Sequence, residues 1–168
     1  MNVILVAGIG NIFHRDDAFG CEVIRRLKGR PLPEDVTVMD FGIRKHDLAY
    51  ALTDGYSAII LVDAAPRGHL PGTLYLSEPD DIERQKADGH TMAPASVIRL
   101  ARSLGGISSK LYLVGCEPEV LEEEDSEMSM SRNVREAIPE AVAMTESLIH
   151  NLLGLEGQDT WGARQVAA

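Results

Sequence analysis

Two runs, NVILVAG at 2–8 and SAIILVD at 57–63, are apolar at nearly every position and rich in Val and Ile. A strand with one wet face alternates polar and apolar residues. An unbroken run therefore reads as a strand covered on both faces, the condition of a parallel sheet with helices on either side. Between them Val23, Ile24 and Leu27 share a helical face, Arg25, Arg26 and Lys28 bring cations to its last turn, and Gly29 and Pro31 end it. VTVMD (36–40) and the segment around 46–53 supply a second strand and a short helix. Residues 2–63 thus read βαβαβ, which predicts parallel strands joined by right-handed crossovers.

The rhythm breaks after Asp63. AAPRGHLPG (64–72) is a Pro/Gly-rich turn, and TLYLS (73–77) returns close enough to pair back as an antiparallel hairpin edge. The stretch 78–90 reads as one helical turn and a loop. Pro94 opens a helix to about Leu104 with Val97, Ile98 and Ala101 inward, and Gly105-Gly106 stops it. KLYLVG (110–115) is a fifth strand. A last helix from about Ser131 to Leu153 repeats Val134, Ile138, Ala141, Thr145, Leu148 and Leu152 on one face, with a kink expected at Pro139. The expected fold is α/β: a three-layer α/β/α domain over 1–153 with a mixed, mostly parallel, five-stranded twisted sheet. Residues 154–168 show no period and read as a disordered tail.

Charge narrows the function. Asp and Glu outnumber Lys and Arg 26 to 16, the net charge is −10, and no Lys/Arg block tracks a phosphate backbone, which argues against nucleic acid. Two cysteines, Cys21 and Cys116, have neither the number nor the spacing of a disulfide framework or zinc knuckle and suit a reducing compartment. With no basic leader and no apolar run of membrane length, a cytoplasmic, membrane-free protein is expected.

The stretch GIGNIFHRDDAFG (8–20) raises the question of chemistry. Gly8 and Gly10 fit the first two places of a dinucleotide turn, but Phe13 holds the third and no Gly-Lys-Ser/Thr follows. Asp16 and Asp17 would also repel a phosphate at that helix start. They serve either as helix caps or as a site. Asp63 favours a site: in a doubly wound sheet with order 2-1-3, Asp17 and Asp63 leave neighbouring strands at one edge, where ligands bind, and Asp40 ends strand two beside them. Histidine is the natural third partner, because a borderline cation such as Zn²⁺ or Ni²⁺ takes imidazole together with oxygen ligands. Of His14, His46, His69, His90 and His150, His90 in DGHTMAP lies on a connector able to reach over the crevice, and His14 in the opening loop stays open as an alternative. The two cysteines read as small buried hydrophobes. The run EEEDSEM (122–128) reads as a solvated loop able to help receive a basic peptide.

These residues together resemble a family. ILVAGIGNIFHRDDAFG, IILVDAA with PGTLYL, GHTMAPASVIRL, LYLVGCEPE and VREAIPEAV occur in the order seen in hydrogenase maturation proteases, across about residues 2–152. The resemblance implies an endopeptidase that removes the C-terminal extension of a nickel-iron hydrogenase large-subunit precursor after nickel insertion. It implies that Asp17, Asp63 and His90 recognise the substrate's nickel and carry catalysis. The residues alone do not separate Asp16 from Asp17; the resemblance selects Asp17 and leaves Asp16, Asp40 and Gly42 to support or specificity. No permanently bound cofactor is implied, although the site would take a Ni²⁺ or Zn²⁺-like ion, and the expected partner of this monomer is the precursor. Phe41 and Ile43 stand where the family often has small or hydroxyl residues, which bears on the hydrogenase class served. The competing readings are a non-catalytic nickel-checking chaperone and another hydrolase on a related α/β fold.

Overall fold

The computed structural model describes residues 3–84, 93–121 and 129–155. Along the chain these form β1 (Ile4–Ile9), α1 (Phe19–Lys28), β2 (Val36–Gly42), α2 (Lys45–Leu52), β3 (Ala58–Ala64), β4 (Leu74–Ser77), α3 (Pro79–Arg84), α4 (Pro94–Leu104), β5 (Lys110–Cys116) and α5 (Arg132–Leu152). The strands make one mixed sheet in the order β2-β1-β3-β5-β4, parallel throughout except at β4.

Successive residues of β1 and β3 feed opposite faces, as the pleat requires. Ile4, Val6, Ile60 and Val62 pack with α1 and α5 on one side. Leu5, Ala7, Ile59 and Leu61 pack with α2, α3 and α4 on the other. This is the three-layer α/β/α arrangement expected from unbroken apolar strands. No helix among the described residues is long and apolar enough to cross a membrane.

Packing rather than surface charge holds α1. Phe19, Val23, Ile24 and Leu27 are fully buried, and each contributes about 1.5–3 kcal/mol. The exposed pairing of Glu22 with Arg25 and Arg26 adds a few tenths of a kcal/mol. The helix can approach because residue 20 is glycine: a Cβ there would lie 2.3 Å from the Val62 carbonyl oxygen and 2.4 Å from that of Ile9.

Two sequence expectations need correction. β4 is an antiparallel edge strand, but its partner is β5, not β3. β3 gives its second edge to β5 over seven paired residues, Ala58–Ala64 with Lys110–Cys116. β5 buries four consecutive residues at its end, whereas β4 leaves Leu76 exposed; the more apolar strand takes the interior place. The second correction concerns the acids before α1. Asp16 and Asp17 lie in a separate 3-10 turn, Arg15–Ala18, and neither caps the helix, whose N-cap Ala18 makes no side-chain cap. At Pro139 the helix continues: α5 is one element of 21 residues with the proline on its exposed side.

Candidate active site at the carboxyl edge of the sheet

Because β1, β2 and β3 are parallel, their carboxyl ends share one edge. Asp40 and Gly42 end β2, Asp63 is the penultimate residue of β3, and the 3-10 turn leaving β1 carries Asp16 and Asp17. The β1–β2 register slips between Gly8 and Ile9, a bulge of the kind that re-aims side chains beside binding sites. Past it, Gly10 donates its N–H to the Gly42 carbonyl at 3.0 Å. Gly10 sits at φ +138°, and a Cβ there would meet the Asp17 carbonyl oxygen at 1.8 Å. Glycine at this exit therefore lets the turn fold down beside β1. Arg15 completes the turn at φ +41°, a left-handed conformation that non-glycine residues seldom adopt.

The two acids of the turn have different surroundings. Asp16 is buried. Its Oδ2 accepts hydrogen bonds from the Glu119 and Val120 N–H groups at 2.8 and 2.9 Å and from the Ser131 hydroxyl at 2.9 Å, and its Oδ1 accepts the Ser131 N–H at 2.7 Å. With its acceptor capacity used, Asp16 ties the turn to the exit of β5 and the head of α5. Asp17 is half-buried, and its Oδ2 accepts the Asn11 N–H at 2.9 Å.

Asp63 is buried, and its Oδ1 has no hydrogen-bond partner among the described residues. Burial first, then the charge of Asp17, raise its pKa well above the ordinary aspartate range, and the Ala64 N–H opposes them. Leaving such an oxygen unpaired costs about 1–3 kcal/mol. An unpaired buried carboxylate oxygen beside a second carboxylate is a donor set suited to a cation.

Cys21 lies within reach of the same charges. Its thiol donates to the Gly10 carbonyl at 3.4 Å. Burial, a hydrogen bond with Asp40, and the charges of Asp40, Asp17 and Asp63 all push its pKa up. One thiol thus feels all three strand-end carboxylates, which groups them at one locus. Asp40 also accepts the Gly42 N–H at 2.9 Å, a tight turn made possible by Gly42 at φ +54°. The sequence reading treated Cys21 as an inert small hydrophobe. Its position four residues after Asp17 was the available signal, since that spacing stacks side chains on one face of a helical turn.

Glu117 and Tyr75 were not foreseen either. Buried Glu117 accepts the Arg67 N–H at 2.7 Å and the Gly68 N–H at 3.3 Å, while the Tyr75 hydroxyl donates to the Ala65 carbonyl at 2.6 Å. Together they fix the loop that follows Asp63. Gly115 makes room for Tyr75: a Cβ would stand 2.2 Å from its ring. Of the histidines, His14, His46 and His69 are exposed and His150 is half-buried on α5. His90 and the acidic run 122–128 lie outside the described residues. Among the described residues no three His, Cys, Asp or Glu side chains are arranged to hold a metal.

A family model described as hydrogenase maturation protease matches residues 21–148, a span that takes in Asp40, Asp63 and position 90. The coenzyme F420 hydrogenase subunit delta of Methanothermobacter thermautotrophicus is 31% identical over 148 residues, covering 84% of this chain and 90% of that protein. The hydrogenase 2 maturation protease of Escherichia coli K12 is 31% identical over 123 residues, 71% of this chain and 75% of that protein. Among solved structures, the hydrogenase maturating endopeptidase HybD from E. coli superposes with a TM-score of 0.76 at 27% identity, covering 89% of this chain and 93% of that one.

Proposed function

The chain belongs to the hydrogenase maturation protease family, a family of peptidases, and on that premise we propose that it removes the C-terminal extension of a nickel-iron hydrogenase large-subunit precursor once nickel is in place. The observation that carries this reading is Asp63, buried with one oxygen unpaired and held against the charge of Asp17. The like charge of Asp17 disfavours an ionised Asp63. A precursor that presents its own nickel brings positive charge that favours the ionised form of Asp63, and one without nickel does not. The protein then needs no metal of its own: Asp17, Asp63 and His90 engage the metal of the substrate and so position the scissile bond.

In hydrolysis, a carboxylate of the pair takes a proton from water as the oxygen attacks the peptide carbonyl. The substrate's nickel polarises that carbonyl, and the proton passes to the leaving amine. A carboxyl whose pKa lies above the usual range exchanges protons more readily near neutral pH than an ordinary aspartate does. Asp40, Gly42 and Asp16 act by holding the edge in shape.

The test is incubation with matched precursor, nickel-loaded and nickel-free, read by mass spectrometry. Loss of a C-terminal fragment from the loaded form alone, abolished by Asp63→Asn, is expected. Cleavage by that variant at the wild-type rate would overturn the site, and stable complex formation without cleavage would replace the protease reading with that of a chaperone.

A further inference from the structure

A groove of about 490 Å³ is lined by residues of the turn before α1, of α1, of β2 and of the first turns of α5. Cys21 and Asp40 belong to its lining, so it borders the carboxylate cluster. Its apolar lining comes from Ile12, Met130 and Ile138. Its cations are Arg15, Arg25, Arg26, Lys28 and Arg135, set against the two carboxylates of Glu22 and Asp40. A basic surplus of this kind stands out on a chain whose net charge is −10. Glu22 is already engaged by Arg25 and Arg26, while Lys28 on α1 and Arg135 on α5 line the groove as exposed cations. In the lining Ile12 is 56% exposed, and the adjacent Phe13 is 64% exposed. Large apolar side chains grouped at the rim of a cleft mark a contact surface.

We propose that this groove seats an acidic, apolar-studded stretch of the substrate polypeptide adjoining the scissile bond, with its carboxylates on Lys28 and Arg135 and an apolar side chain on Ile138 and Met130. The inference rests on the peptidase reading and adds to it the chemistry of the segment recognised. Charge complementarity selects the occupant: a basic peptide would meet a surplus of cations over carboxylates in the lining, Lys28 and Arg135 foremost, and an oligonucleotide would be repelled by the acidic remainder of the molecule.

The experiment has two independent arms. In the first, cleavage of nickel-loaded precursor by the Lys28→Glu/Arg135→Glu double variant is compared with wild type and with Lys110→Glu, an exposed charge reversal at the opposite end of β5. A rise in KM of about tenfold with kcat moving little is expected for the double variant only. The salt dependence of KM seen in wild type should flatten. An unchanged KM overturns the groove while leaving the peptidase reading intact. In the second, fluorescence anisotropy follows a labelled Glu/Leu peptide, its Lys/Leu counterpart and a labelled single-stranded oligonucleotide on the full chain. Binding of the acidic peptide alone, lost in the double variant, supports the inference even where a precursor is not cleaved. Failure of the acidic peptide to bind, or preference for the basic peptide or the oligonucleotide, overturns it.

Discussion

Asp16 and Ser131 stand 115 positions apart and are joined by two hydrogen bonds, the Ser131 N–H donating to Oδ1 at 2.7 Å and its hydroxyl to Oδ2 at 2.9 Å. The carboxylate of Asp16 also takes the N–H groups of Glu119 and Val120, so its removal leaves several buried donors unsatisfied. Asp16→Ala is expected to destabilise the fold by about 3 kcal/mol or more, and Ser131→Ala by about 1 kcal/mol. Urea unfolding measures both. Equal, small effects would show that the turn is held elsewhere.

Asp63 makes stability depend on pH in a defined direction. Burial and the charge of Asp17 raise its folded pKa, so the native state keeps a proton that the unfolded chain releases. The stability from that difference is fully present below the unfolded value of about 4 and is lost as pH rises through the folded one. Asp63→Asn abolishes the titration. Thermal melts across a pH series should find the variant more stable than wild type at neutral pH, with the gap closing toward acid, although it no longer cleaves.

Gly20→Ala tests the close approach of α1 to the sheet. The new methyl meets two backbone carbonyls, of Val62 and Ile9, which cannot rotate away as a side chain would. A loss of about 3 kcal/mol is expected from such overpacking. Gly29→Ala, where a Cβ has its nearest neighbour at 3.5 Å, serves as the control with a far smaller effect in the same denaturation assay.

Neither thiol should behave as a nucleophile. Burial holds Cys116 up at about 12, with Asp16 and Glu117 adding to it, and burial with the strand-end carboxylates holds Cys21 higher still. Since the thiolate is the reactive form, iodoacetamide near neutral pH is expected to modify neither in the native protein and both in denaturant, as counted by intact mass. Native labelling of Cys21 would mean that its carboxylate surroundings are not as described.

How far the sequence carried differs between fold and site. Unbroken apolar runs located β1 and β3, Pro94 and Gly105 bounded α4, and helical spacing identified the buried face of α5, because each signal is local and follows from backbone sterics or periodicity. The place of β5 between β3 and β4 was not legible: strand order depends on which surfaces compete for burial, and no window of sequence contains that comparison. The same holds for the site. The strand-end rule brought Asp17, Asp40 and Asp63 to one edge. The division of labour between Asp16 and Asp17 depends on which way each side chain leaves the 3-10 turn, and Asp16 finds its partners more than a hundred residues downstream.

The late insertion of β5 also sets an order of assembly. A chain emerging from its amino end completes β1, β2 and β3 with their helices, while β4, although already made, has no neighbour until residues 110–116 arrive to pair with it on one side and with β3 on the other. Through that interval the carboxyl end of β3, Asp63 included, stays an open edge. The acids are thus in place before the walls around them are complete, and a chain cut short of β5 would carry Asp63 on an open strand edge.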